Sequence, residues 1–158
     1  VNVIATASKR HHNWIGALGA NAVFDHSAAD VDQQILNLIN NRNFFGVFDA
    51  VGTPEARASI NSILEQLGGG VVASVLSPPD KGPNNTRTKV IMASRIIQGD
   101  PEVAKAIFRD FLPNALNKGV VKPAPPAHVI GKGLDKIQSG IDKVKNGVTG
   151  QKMVVEID

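Results

Sequence analysis

The residues with most chemistry to offer lie near the start of the sequence. There Thr6-Ala7-Ser8-Lys9-Arg10-His11-His12 gathers two hydroxyls, two cations and two imidazoles with no acid among them. Such a set suits an anion. Ser8 can donate a hydrogen bond, and Lys9 and Arg10 can supply charge-assisted ones worth about 1.5–3 kcal/mol each when well placed. The same residues would also serve as a solvated basic helix start, because exposed charge pairs contribute little; without a family this is the plainer reading. His11 and His12 are adjacent, so on a helix they point apart, and no further ligand is near; no metal site is expected. A phosphate or ribose contact from His11 fits better. His26, just past Asp25, can be read as a ligand contact or as a loop histidine with no role. Asp49 and Gly52 could be an acid and a phosphate turn, but Asp49 reads better as a structural strand-end group. Gly68-Gly69-Gly70 is a helix stop and not a phosphate loop, since no helix follows it directly.

These residues need elements to position them, and the chain alternates strand and helix signals. Strands are predicted over Val1–Thr6, Ala22–Phe24, Phe45–Val51, Val71–Leu76 and Lys89–Ile97, each short and mostly apolar, as buried parallel strands are. Between them, Lys9–Leu18 reads as a helix with Trp14, Ile15 and Leu18 on one face. Asp30 is expected to cap a second, in which Val31, Ile35, Leu38 and Ile39 form a stripe. Thr53 then caps and Pro54 opens a third, whose buried face holds Ala56, Ile60, Ile63, Leu64 and Leu67. A polar loop spans Ser77–Thr88. Asp100-Pro101 opens a longer helix bearing Val103, Ile107, Phe108, Phe111 and Leu112, which Pro113 should kink or end. Beyond the stiff Pro123-Ala124-Pro125-Pro126 segment come a strand at His128–Ile130, a helix over Leu134–Val144 and a strand at Lys152–Ile157. Short connections in this βαβα series predict a parallel sheet covered by helices on both faces. Within it, Ser74, Val75 and Leu76 end a strand at the carboxyl edge, the ligand side of such sheets, and read equally well as plain core.

Composition sets the outer limits. The 158 residues are 42% hydrophobic and 20% charged, ordinary for a globular chain. No apolar run approaches the roughly 20 residues that span a bilayer, and no signal-like leader precedes Val1. A non-membrane, cytoplasmic protein is expected. The net charge of +3 is modest and spread out, so nucleic acid is not an expected partner. There are no cysteines, hence no disulfides or thiolate metal ligands. The opening strand has no lead-in, so the natural protein is expected to extend upstream.

The order of the blocks resembles the medium-chain dehydrogenase/reductase superfamily. Val3-Ile4-Ala5-Thr6-Ala7-Ser8, Gly16-Ala17-Leu18-Gly19-Ala20 and Val23-Phe24-Asp25 look like its second and third strands. Phe48-Asp49-Ala50-Val51-Gly52 and Gly69-Gly70-Val71-Val72 look like its fourth and fifth. Gly133-Leu134 through Gly150-Gln151-Lys152-Met153-Val154-Val155 looks like its carboxy-terminal return. The likeness covers nearly the whole chain and points to the fungal zinc-binding-alcohol-dehydrogenase-like proteins, which include trans-acting enoyl reductases. It implies a Rossmann-type cofactor domain over residues 1–122, lacking its first strand and the GxGxxG turn, and a return segment of a GroES-like catalytic domain over residues 123–158. In the strand order 3-2-1-4-5-6 the absent first strand is central, so a gap should separate Val1–Thr6 from Phe45–Val51. Exposed edges there should make the fragment aggregate when expressed alone.

The resemblance also assigns the corner. At the end of the second Rossmann strand an acid selects NAD, whereas cations and hydroxyls accept the phosphate of NADP. NADP(H) is therefore the implied cofactor, with Thr6, Ser8, Lys9, Arg10, His11, His26, Val51, Gly52, Ser74, Val75, Leu76, Val154 and Val155 as its contacts. Met92, Ala93, Ser94, Arg95, Ile96 and Ile97 would line the pocket of a small apolar carbonyl substrate, or else pack or form a dimer edge. The implied reaction is hydride transfer to a double bond conjugated to a carbonyl, by a monomer or homodimer. Alcohol dehydrogenase or aldehyde reductase chemistry, and a non-catalytic cofactor-binding protein, are the alternatives; a methyltransferase would share the alternation but not need the basic corner. No side chain is singled out as a catalytic acid.

Overall fold

In the computed structural model, residues 1–40, 43–77 and 81–157 are described, with Ile97 described by its backbone alone. The chain divides into two compact units, Val1–Ile107 and Phe108–Asp158. The proline-rich segment where the composition changes lies inside the second of them.

Among the described residues, the first unit holds five strands in two parallel sheets. Strands β1 (Ile4–Ala7) and β2 (Ala22–Asp25) pair with Ile4 opposite Ala22 and Ala7 opposite Asp25. Strands β3 (Val47–Asp49), β4 (Gly70–Ser74) and β5 (Thr86–Val90) form the second sheet in the order β3-β4-β5. Among the described residues no strand joins β1 to β3. These are the 3-2 and 4-5-6 flanks of the Rossmann order, separated where its first strand would run. The expected gap is present.

Helices bind these sheets because their apolar residues recur every three to four positions. In α2 (Val31–Ile39) the i, i+4, i+8 residues Val31, Ile35 and Ile39 are all buried. They share a core with Ile63 of α3 (Pro54–Gln66), and Ile4, Phe24, Leu36, Phe44 and Leu67 pack against it. Leu64 and Val72 are fully buried; emptying either site would cost about 2–5 kcal/mol. Thr53 caps α3 as expected, its Oγ1 accepting from Ala56 N at 3.3 Å, with Pro54 in the first turn. The Ser59 hydroxyl also bonds the Asp32 carboxylate, tying α3 to α2.

Three expectations are corrected. The predicted Lys89–Ile97 strand is instead β5 at Thr86–Val90, followed by turn residues and a helix at Arg95–Gly99, α4. Thr86 and Thr88 face inward while Arg87 and Lys89 face out, and buried Arg57 donates from Nη2 to Thr88 Oγ1 at 3.0 Å. A strand whose inner face is threonine reads as loop. The Pro78–Asp80 part of the predicted loop lies outside the described residues. Second, Asp30 occupies the N-cap position of α2 but makes no cap bond; its carboxylate accepts from Gln34 Nε2 at 2.8 Å. Third, Lys9–Leu18 is a 3₁₀ turn (Lys9–His11) leading into a short α1 (His12–Ala17), with no fully buried residue in either. Pro113 lies in α6 (Leu112–Asn117), which follows α5 (Pro101–Lys105) and a π-helical turn at Ala106–Phe111, so regular α-helix does not run unbroken up to the proline.

The second unit is built on β6 (Ala127–Lys132) and β7 (Lys152–Glu156), which run parallel with a register shift between Val129 and Gly131. A 3₁₀ turn at Leu134–Lys136 and α7 (Ile137–Lys145) cross from one to the other. Gly140 has a packing reason to sit inside α7: an added Cβ would meet Ile130 Cδ1 at 2.7 Å.

Candidate functional site

The basic corner forms where β1 ends. Ala7 is the last strand residue, and the chain turns at once into the 3₁₀ turn, with His11 N donating to Ser8 O at 2.8 Å. Two histidines brace that turn from its sides. His12 Nε2 lies 3.0 Å from Ala7 O, and Ser8 Oγ lies 3.1 Å from His26 Nε2. His11 meets Trp14 edge-on, with ring centroids 5.8 Å apart. Lys9 and Arg10 are exposed, Ser8 is half-buried, and Thr6 is exposed on β1.

The neighbouring acid is occupied. Asp25 Oδ1 accepts from Ser27 N at 3.0 Å and from Ser27 Oγ at 2.7 Å. These bonds hold its carboxyl below the ordinary aspartate range, with smaller help from the charges of His26 and His12. Thr6, Ser8, Lys9, Arg10, His11 and His26 are thus brought to the carboxyl end of the β1–β2 pair, with the Asp25 carboxylate bonded within its own loop. Sequence reasoning missed the part of His12, because nothing in the spacing of two histidines shows that one will cap a strand-end carbonyl.

A second cluster lies where β3 and β4 end. Asp49, only 4% exposed, accepts from Val51 N at 3.1 Å and from Gly52 N at 2.8 Å through one carboxylate oxygen. Its other oxygen lies 3.2 Å from Ser74 Oγ, whose hydroxyl also lies 2.8 Å from Leu76 O. Val75 N donates to Asp49 O at 3.0 Å. Gly52 has φ +70, and a Cβ there would stand 2.7–2.9 Å from Leu76 side-chain atoms. Val51, Gly52, Val75 and Leu76 therefore form one surface across the two strand ends, with Val51, Val75 and Leu76 exposed. Ser74 lies beneath it, 1% exposed, with its hydroxyl engaged inside the protein.

The remaining residues lie on other elements. Met92, Ala93, Ser94 and Arg95 are exposed on the turn into α4, Ile96 is half-buried, and the Ile97 side chain is outside the described residues. Val154 and Val155 are half-buried on β7 of the second unit, where Val155 lines an apolar groove with Ile130, Gly140 and Val144. Among the described residues, no three His, Cys, Asp or Glu side chains are grouped to hold a metal ion. Nor, among them, is any helix long and apolar enough to cross a membrane.

No protein-family model matches the chain. Individual proteins do. It is 35% identical over 159 residues to the dehydrogenase orsE of Emericella nidulans, covering 99% of this chain and 44% of that one. It is 33% identical to the trans-enoyl reductase himH of Aspergillus japonicus, covering 99% and 45%. With the zinc-binding alcohol dehydrogenase domain-containing protein cipB of Emericella nidulans it shares 32% identity over 98% of this chain and 48% of the relative. Among solved structures, CurA of Vibrio vulnificus in complex with NADPH superposes with TM-score 0.65 at 19% identity, covering 99% of this chain and 50% of CurA. The CurF ER cyclopropanase from the curacin A biosynthetic pathway gives TM-score 0.67 at 15% identity, covering 99% and 47%. The resemblance to the medium-chain dehydrogenase/reductase superfamily, among fungal dehydrogenases and trans-enoyl reductases, is thereby borne out. The chain spans about half the length of the curated relatives it matches.

Proposed function

We propose that the protein is an NADPH-dependent oxidoreductase that reduces a double bond conjugated to a carbonyl. The observation that carries this reading is the acid-free corner after β1. A 2′-phosphate placed there would meet the Ser8 hydroxyl and the Lys9 and Arg10 cations, while Asp25 is held by Ser27. That charge pattern fits a phosphate and disfavours a cofactor bound through ribose hydroxyls alone. Support comes also from CurA, solved with NADPH, and from relatives named trans-enoyl reductases.

On this reading, residues 1–122 are the cofactor-binding domain and residues 123–158 the return segment of the catalytic domain. When bound, NADPH supplies a hydride to the β-carbon of the conjugated system, and a proton completes the reduction at the α-carbon. The chain's own residues bind and orient. Ser8, Lys9 and Arg10 hold the phosphate, with Thr6, His11 and His26 beside them. Val51, Gly52, Val75 and Leu76 present an apolar floor, and Val154 and Val155 are read as further cofactor contacts. Met92 to Ile97 edge the substrate pocket, favouring an apolar chain on a carbonyl over a sugar or small polar acid. A second reading, aldehyde reduction, is favoured by the relative named for a zinc-binding alcohol dehydrogenase domain.

The test follows NADPH oxidation by the complete protein with enones, quinones, enoyl thioesters and simple aldehydes. Turnover of the conjugated substrates is expected. Turnover with aldehydes alone would replace this reading with the second. Tight NADPH binding without turnover of any of them would make the protein a non-catalytic cofactor binder.

A further inference from the structure

Asp49 is a buried carboxylate that the proposed chemistry does not use. It sits at the last position of β3, under residues assigned to the cofactor floor, and both its oxygens are hydrogen-bonded. One oxygen gathers the N–H groups of Val51 and Gly52, at 3.1 and 2.8 Å, turning the chain sharply after the strand. The other faces the Ser74 hydroxyl at 3.2 Å, one strand over. Ser74 in turn reaches Leu76 O at 2.8 Å, and Leu76 is the residue against which Gly52 rests. The carboxylate is thus the common anchor of both loops that follow β3 and β4. Because Val51, Val75 and Leu76 expose apolar surface and carry no polar side chain, their height and spacing depend on these backbone bonds.

We propose that Asp49 and Ser74 are positioning residues that set the level of the cofactor floor, acting through the Val51–Gly52 and Val75–Leu76 backbone without touching the cofactor. The inference rests on the NADPH reading above. What the turn requires of residue 49 is an acceptor for two N–H groups and a partner for Ser74, not a negative charge. Asparagine supplies both: its oxygen can accept from Val51 and Gly52, and its amide can donate to Ser74 Oγ, whose hydroxyl proton then goes to Leu76 O. Alanine supplies neither and leaves the Val51 and Gly52 N–H groups without that acceptor. Ser74→Ala removes the hydroxyl bonds to Asp49 and to Leu76 O and leaves the backbone bond from Val75 N to Asp49 O in place.

The experiment measures Kd and KM for NADPH, with kcat and thermal midpoint, for the complete protein and its Asp49→Asn, Asp49→Ala and Ser74→Ala variants. Each lost bond weakens a preorganised surface by roughly two- to tenfold. Asp49→Ala is therefore expected to raise Kd and KM for NADPH by about tenfold or more, and Ser74→Ala by about two- to tenfold. Asp49→Asn is expected to stay within about threefold of the parent. Lower thermal midpoints with unchanged NADPH affinity would make the two residues structural only and overturn the inference. So would an Asp49→Asn variant as impaired as Asp49→Ala. Should Asp49→Ala fail to fold, Ser74→Ala decides by the same affinity criterion. Failure of the unmutated protein to bind NADPH removes the cofactor reading, and this inference with it; normal binding by the parent and by Ser74→Ala removes the inference alone.

Discussion

Ser8 Oγ lies 3.1 Å from His26 Nε2, so the residue after β1 is tied to the residue after β2. The bond holds the Ser8 hydroxyl, and it joins the two loops beside the backbone bond from His26 N to Ala7 O at 3.4 Å. A partly exposed hydrogen bond of this kind contributes about 0.5–1.5 kcal/mol. His26→Ala is therefore expected to weaken NADPH binding by roughly two- to tenfold and to leave NADH nearly unchanged. Parallel fluorescence titrations with the two cofactors check this; equal losses for both would show that His26 does not serve the phosphate.

Lys9 and Arg10 are exposed on the 3₁₀ turn, so the folded state gains little from them and their removal should cost little stability. A phosphate would change that, since each can then make a charge-assisted bond. Lys9→Ala with Arg10→Ala should weaken NADPH by about tenfold to a hundredfold and NADH far less. An unchanged cofactor preference in the double variant, by calorimetry, would reject the corner as the phosphate site.

Much of the first unit was legible because its elements obey simple periods. The Val31, Ile35 and Ile39 stripe and the Thr53-Pro54 start could each be read from spacing, and the structure has both. The missing pairing between β1 and β3 was implied by the family resemblance and not by any period. What stayed hidden was polar. β5 turns threonines inward toward Arg57, so its pattern lacks the apolar alternation that marks a strand. Apolar Ile91, Met92 and Ile96 drew the predicted strand past its end, onto a turn and α4. At the corner, residue types were visible while the brace from His12 to Ala7 O was not, because side-chain to backbone bonds leave no periodic trace. Ser74 could be placed at the sheet edge, but its burial under Leu76 depends on contacts with Asp49, 25 residues away.

The Asp25–Ser27 loop carries a pH signature. Its two bonds lower the Asp25 pKa, so the folded state prefers the carboxylate. The stabilisation is then present in full above the ordinary aspartate value of about 4 and fades as pH falls through the depressed folded value. Ser27→Ala removes the larger cause, and Asp25 should move back up toward the ordinary value. A carboxyl-carbon NMR titration reads both pKa values. No upward movement would mean that the hydroxyl bond is absent in solution.

Gly52 and Gly16 make a matched pair of opposite expectation. At Gly52 the backbone has φ +70 and a Cβ would press on Leu76 at 2.7–2.9 Å, whereas nothing lies within 4 Å of a Cβ at Gly16 in α1. Gly52→Ala should destabilise by about 1–3 kcal/mol through the left-handed backbone alone. Gly16→Ala should stabilise by about 0.5–1 kcal/mol, the helix advantage of alanine. Thermal midpoints should move in opposite directions, down by several degrees and up by a degree or more. A tolerated Gly52→Ala would show that the turn after β3 relaxes and that Asp49 does not hold it firmly.

Phe48 lies on β3 with 65% of its surface exposed, and nearby Phe45 is 77% exposed. Among the described residues β3 pairs on one side only, with β4, so its other side offers open backbone donors and acceptors flanked by two bare aromatic rings. An apolar open edge is the arrangement that recruits a second chain, and natural edges are blunted by charge, lysine above all. When residues 1–158 are produced by themselves, self-association should run through this edge. Phe48→Lys should then raise the monomer fraction at a given concentration, and Phe45→Lys should add to it, because both substitutions place charge along the same edge. Light scattering behind size-exclusion chromatography measures the fraction directly. Lys substitution at exposed Leu134, in the second unit, is the control for added charge alone. A gain as large from Leu134→Lys as from Phe48→Lys would show that net charge, and not the β3 edge, governs the association.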